Sequence, residues 1–221
     1  MRESYREQLD TISAELVQMT QLAGSAMTLA TQALLDADLP LAEQVIKDDQ
    51  ELDDLNQALE DKCFELAALQ QPVATDLRIV MSGLRISASL ERMGDLAAHV
   101  AKQARLRYPQ QSVPAELRAT FVQLGSLCQE VVAKTGAVIA TKDVSLTADI
   151  RRHDDEIDRL HRELFTVVLS PTWSHGVEAA IDVTLLSRYY ERFADHAVTI
   201  ARRVVHIVTG DPYVGISADS L

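Results

Sequence analysis

Apolar and small residues recur along the chain in alternating steps of three and four, the spacing that lines one stripe of an α-helix. The first stripe runs through Leu9, Ile12, Leu16, Met19, Ala23, Ala26, Ala30 and Ala33 and predicts a helix ending near Leu35. A second, through Val45, Leu52, Leu55, Leu59 and Leu66, begins with Asp38 as its cap and Pro40 in its first turn, and ends before Pro72. The third carries Ile79, Ile86, Leu90, Met93, Ala97, Val100 and Ala104, with Gly83 as a small residue that permits close helix approach, and stops near Tyr108 and Pro109. Pro114 opens a fourth through Leu117, Phe121, Leu124, Leu127, Val131 and Val138. Asp143 or Ser145 caps a fifth through Ile150, Ile157, Leu160, Leu164 and Val168, which breaks between Pro171 and Gly176. The sixth runs from about Val177 to Thr209, closes at Gly210, and is apolar over more than half its circumference, so it needs neighbours on several sides.

Six long helices with short connections describe an all-α protein of antiparallel, up-and-down packing, and strand alternation occurs nowhere at useful length. The chain also repeats itself. ERMGD at 91–95 returns as ERFAD at 191–195, and QELDDL at 50–55 returns as DEIDRL at 155–160. A period of about 100 residues is that of a duplicated domain rather than a solenoid. The prediction is two pseudo-symmetric up-and-down three-helix bundles, residues 1–107 and 113–221, and a structure in which the first and fourth helices pack together as one four-helix core would overturn it.

Composition narrows the partners. The 221 residues are 47% hydrophobic and 24% charged, with only eight glycines and six prolines, which fits a folded helical chain. A formal net charge of −12 repels nucleic-acid phosphates and anionic membrane surfaces, so neither is an expected partner. Cys63 and Cys128 form no CxxC pair and read as small buried apolar side chains. The first residues hold no apolar signal core and no stretch is long enough to span a bilayer, so a cytoplasmic protein without membrane insertion is expected.

The chemistry that stands out is acidic. In the third helix Glu91, Asp95 and His99 are spaced i, i+4, i+8 and share one face. The sixth repeats this with Glu191 and Asp195, followed by Thr199. The second helix offers Asp49 and Asp53, the fifth Asp154 and Asp158, so each repeat presents two carboxylate pairs on consecutive helices that can converge. Two readings stand. Clustered carboxylates suit magnesium, manganese, iron or zinc, which would relieve their repulsion. Alternatively, the many neighbouring arginines turn the acids into a solvated ion-pair lattice of little energetic weight. Taken alone, His99, His161 and His196 read as solvated polar residues, and Trp173 as a side chain packing its loop onto the bundle. Nucleotide-binding, hydrolase and zincin signatures are absent, and no Glu precedes a His by three positions, which weakens a di-iron oxidase.

The string QQPVATDLRIVMSGLRISASLERMGDLAAHVAKQA, together with RYYERFADHAVTIARRVVHIVTGD, closely resembles the two repeats of the PhoU family, accessory regulators of high-affinity bacterial phosphate uptake. The resemblance spans nearly the whole chain and rests on QPVA-DLR, ERxGD and ERxADH. It implies metal ions held by E/D-x-x-x-D motifs, here Asp49 and Asp53, Glu91 and Asp95, Asp154 and Asp158, and Glu191 and Asp195. The family often has Asn four residues after the last Asp; this chain has His99, a possible extra ligand, and Thr199, a poorer one. It further implies a non-catalytic role, relaying the state of a phosphate ABC transporter to a sensor histidine kinase and repressing starvation signalling when phosphate is abundant, with a homodimer as a possible assembly. A metal-dependent helical-bundle enzyme and a passive scaffold are the rival classes.

Overall fold

A computed structural model describes residues 2–211. Six helices follow in order: α1 (Arg2–Asp36), α2 (Leu39–Gln70), α3 (Ala74–Arg107), α4 (Arg118–Thr141), α5 (Thr147–Val168) and α6 (Gly176–Thr209). No strand occurs among the described residues. The start of α2 is as the sequence predicts, with the Asp38 carboxylate accepting from the Leu41 N–H at 3.0 Å and Pro40 in the first turn. Gly210 ends α6 at φ 76°, its N–H bonded to the His206 carbonyl. Two helices start later than their signals. Pro114 leads into a 3₁₀ turn over Ala115–Leu117 before α4 begins, and Asp143 caps a 3₁₀ turn over Val144–Leu146 before α5, accepting from the Ser145 N–H at 2.9 Å.

The predicted stripes are the core. Ile12, Leu16, Met19, Ala23, Ala30 and Ala33 of α1 are buried, as are Val45, Leu52, Leu59 and Leu66 of α2 and Ile86, Leu90, Met93, Ala97 and Val100 of α3. Gly83 is a true close approach: a Cβ there would stand 3.1 Å from Ile12 Cγ2. Cys63 and Cys128 are buried and unbridged, and Trp173 packs on the core while its indole N–H donates to the Gly176 carbonyl.

Within each half the three helices pack on one another, α1 with α2 and α3, α4 with α5 and α6. The halves then join more closely than the repeat alone implies. α1 lies along α4 and α3 along α6, so these four helices enclose one continuous core while α2 and α5 flank it. The division at about residue 110 is therefore one of sequence and symmetry, and the core is shared. Both crossings are antiparallel: Thr20 faces Gly136 and Thr31 faces Gly125 between α1 and α4, while Arg107 reaches Asp182 and Arg78 the Ile207 carbonyl between α3 and α6, so the halves are related by a pseudo-two-fold axis. At its centre, the wholly buried Tyr190 bonds Thr31 Oγ1 at 2.8 Å. Thr31 spends its own proton on the Met27 carbonyl, so the phenol donates. α6, in contact with α3, α4 and α5, has the several neighbours its wide apolar face requires.

Candidate functional site

The predicted acids gather in two places, between α2 and α3 and between α5 and α6. In the first half, Asp49 is partly buried and its carboxyl is pushed up to about 6, first by burial and then by the charges of Asp95 and Asp53. Glu91 is also raised, by burial and by Asp95, with Arg92 acting against the shift. Gly94 creates this proximity. A Cβ at that position would stand 2.7 Å from Leu52 Cδ1 and 2.9 Å from Asp49 Oδ1, so α2 rests directly on the bare backbone of α3 at the level of the acids. Arg92 binds Asp95 Oδ2 at 2.6 Å and lies 3.6 Å from Glu91. Asp53 is exposed at the rim.

His99 is exposed, with its ring against Tyr189 of α6 at 5.3 Å. Its Nδ1 lies 2.6 Å from the Asp95 carbonyl, which can only accept, so Nδ1 carries the proton and a neutral ring keeps its lone pair on Nε2. That is the tautomer a metal-binding imidazole uses.

The second half holds its acids deeper. Glu191 is only 9% exposed, and both it and Asp154 are pushed up to about 7, by burial first, then by Asp195 for Glu191 and by Asp158 and Asp195 for Asp154. Asp195 is raised as well, by desolvation and by Asp158, although it stands at an exposed position. Arg188 bonds Glu191 Oε1, and Arg162 lies 3.8 Å from Asp158. Two oxygens are left over: Asp154 Oδ1 and Glu191 Oε2 are buried with no hydrogen-bond partner. A buried carboxylate oxygen without a donor is costly and is where a cation would be received.

These sites are thus half-buried grooves between helices, not the freely solvated faces that the arginine content implied. His161 departs from its expected solvated place too: it is buried, its Nδ1 2.9 Å from the Ser187 hydroxyl, and burial lowers its pKa. Among the described residues, no three His, Cys, Asp or Glu side chains are already drawn together as a finished ligand set. Like charge keeps carboxylates apart until a cation lies between them. The donor chemistry, all oxygen with one available imidazole, fits a hard or borderline ion, and the orphaned oxygens of the second half fit it best.

Sequence reading missed one polar device entirely. Arg107, at the end of α3, grips Asp182 of α6 through Nε–Oδ2 at 2.6 Å and Nη2–Oδ1 at 2.9 Å, and also binds Glu178. The partners lie more than 70 residues apart and share no motif; the one available signal was the acidic first turn of α6.

These features define a class: a tandem-repeat helical bundle with an acid cluster in the α2–α3 and α5–α6 groove of its respective halves. The PhoU domain matches it twice, over residues 16–104 and 121–204, and the chain belongs to the PhoU family. It is 51% identical to the phosphate-specific transport system accessory protein PhoU homolog 2 of Mycobacterium tuberculosis, over 95% of this chain and 99% of that one. Homolog 1 of Mycobacterium leprae is 50% identical over 95% of each. Among solved structures, PhoU of Pseudomonas aeruginosa superposes with a TM-score of 0.82 at 27% identity, covering 94% of this chain and all of that one. The phosphate transport system regulatory protein PhoU of Streptococcus pneumoniae gives 0.86 at 26%, covering 96% and 100%. No described helix is long and apolar enough to cross a membrane.

Proposed function

We infer that this protein is a non-catalytic accessory regulator of a phosphate transport system, acting in the cytoplasm between a phosphate ABC transporter and a sensor histidine kinase to repress starvation signalling when phosphate is abundant. The observation that carries the reading is end-to-end similarity, at about half of all positions, to proteins named as accessory to phosphate-specific transport. In a strain lacking the gene, a starvation reporter is expected to stay on in high phosphate and to be silenced again by the wild-type gene. Unchanged repression in the deletion strain would overturn the reading.

The same reading assigns metal to the acid clusters. Asp49, Asp53, Glu91 and Asp95, with His99, would hold an ion in the first half, and Asp154, Asp158, Glu191 and Asp195 in the second. Iron, manganese, zinc and magnesium all suit this donor set. Bound metal would supply positive charge that cancels the repulsion and ties α2 to α3 and α5 to α6. The orphaned Asp154 and Glu191 oxygens support this. Adding each ion to metal-free protein is expected to raise the thermal midpoint, because a ligand bound only by the folded state stabilises it. Glu91→Ala with Asp95→Ala should remove the first half's share of that rise; an undiminished response would return those acids to an ion-pair role. Size measurement at several concentrations tests the homodimer.

A further inference from the structure

The α3–α6 seam has two ends related by the pseudo-two-fold axis, and they are built from opposite charges. At one end Arg107 is held by Asp182 and Glu178, so the cation has its anions within the protein. Shifting by the 100 residues that separate ERMGD from ERFAD carries Glu178 onto Arg78, Asp182 onto Ser82, Leu185 onto Arg85 and Gln103 onto Arg203. At the other end, then, the acids are replaced by arginine and serine, and further cations are added.

The result is a cleft of about 280 Å³ whose walls include Leu77, Arg78, Met81, Arg85, Arg203 and His206. Arg78 is held in place by neutral acceptors only, its Nε 3.4 Å from the Ile207 carbonyl and its Nη2 2.9 Å from Thr75 Oγ1. Gly210 closes α6 against it: a Cβ there would lie 3.4 Å from the guanidinium carbon. No ion pair among the described residues reaches Arg78 or Arg85. Asp76 is turned towards Tyr5 of α1, and the Asp211 backbone carbonyl is bonded by His206. In a chain of net charge −12, Arg78 and Arg85, with no ion pair among the described residues, bring positive charge and guanidinium donors to this cleft.

We propose that this cleft binds a small tetrahedral oxyanion, free or as the monoester of a small organic body, in the place that Asp182 and Glu178 fill at the opposite end. Guanidinium forks match the paired oxygens of such an anion, and Leu77 and Met81 offer an apolar wall to an ester group. The volume admits a phosphate with a few carbon atoms. The site is separate from the acid clusters and does not depend on the regulatory reading.

Calorimetry on the full-length, metal-free protein tests it, with inorganic phosphate, sulfate and glycerol 3-phosphate as probes. Saturable binding of one equivalent of at least one probe is expected. It should weaken about tenfold or more in Arg78→Ala and in Arg85→Ala, and remain unchanged in Arg105→Ala, an exposed arginine on α3 outside the cleft. Tighter binding of the ester than of phosphate would assign the apolar wall a role; the reverse order would identify the free anion as the ligand. Arg85→Lys, which keeps the charge and loses the fork, should fall between wild type and Arg85→Ala. Should a variant fail to fold, wild-type protein treated with phenylglyoxal decides: the bound probe must shield Arg78 and Arg85 and leave Arg105 open. Absence of saturable binding by all three probes, or equal binding by wild type and the cleft variants, would overturn the proposal.

Discussion

The two halves descend from one sequence and carry the same acid quartet, yet they hold it differently. In the first half α2 sits on the bare backbone of Gly94, Asp49 is pushed up to about 6, and no acid oxygen is a buried orphan. In the second, Ala194 puts a buried methyl at the matching position, Asp154 and Glu191 are pushed up to about 7, and each keeps one buried oxygen without a donor. The seam ends differ more sharply still, one an internal salt bridge and the other a cationic cleft. Duplication preserved the scaffold, whereas the electrostatics diverged residue by residue, because a helix face accepts a new charge with far less disturbance than a packed stripe accepts a new shape.

The largest expected effect separates the two seam ends. Arg107→Ala strands the buried Asp182 carboxylate and should lower the urea midpoint clearly, whereas Arg78→Ala, which removes no carboxylate partner among the described residues, should lower it far less. Equal losses would erase the distinction.

The acid clusters come next. Carboxyls whose pKa values are raised in the folded state bind protons more tightly there than in the unfolded chain, so their destabilising effect is full above about pH 7 and fades as pH falls towards 4. His161 and His196, lowered by burial, act in the opposite sense. The double variant Asp154→Asn, Glu191→Gln leaves both histidines in place. Metal-free wild type should therefore gain stability relative to that variant as pH drops from 7.5 to 5, and parallel pH profiles would contradict the placement of these acids.

Tyr190→Phe should cost about 1 kcal/mol, the loss of one buried hydrogen bond across the halves. The smallest effect compares the clusters directly. At pH 7.5 without metal, Asp154→Asn should stabilise more than Asp49→Asn, by a difference on the order of 0.5–1 kcal/mol after allowance for solvent screening. The order should invert when metal is added, since each Asn removes a ligand charge.

Much of the fold was legible because the helix stripes are regular and their ends are marked by Asp38, Pro40, Pro72, Pro171 and Gly210. The acid pairs were legible for the same reason, since i, i+4 spacing and internal repetition show on a single chain. What was hidden depends on contacts between distant segments. The sequence shows that α6 is apolar on a broad face but not that α1 meets α4. Gly94 looks like any helical glycine until Leu52 and Asp49 are found against it. Nothing local reveals that Arg107 reaches Asp182, or that two carboxylate oxygens are buried without donors.

The shared core makes the two halves behave towards each other as subunits do. An isolated half would expose the inner faces of its helices, including Thr31 or the phenol of Tyr190, and would be driven to find a complementary surface. Cutting the chain between α3 and α4 should therefore yield two polypeptides that are insoluble apart and reassemble when expressed together. It would also permit each half to pair with a second copy of itself, a homotypic assembly that reproduces the arrangement from before the duplication, and the unmatched charges at the seam ends would select against it.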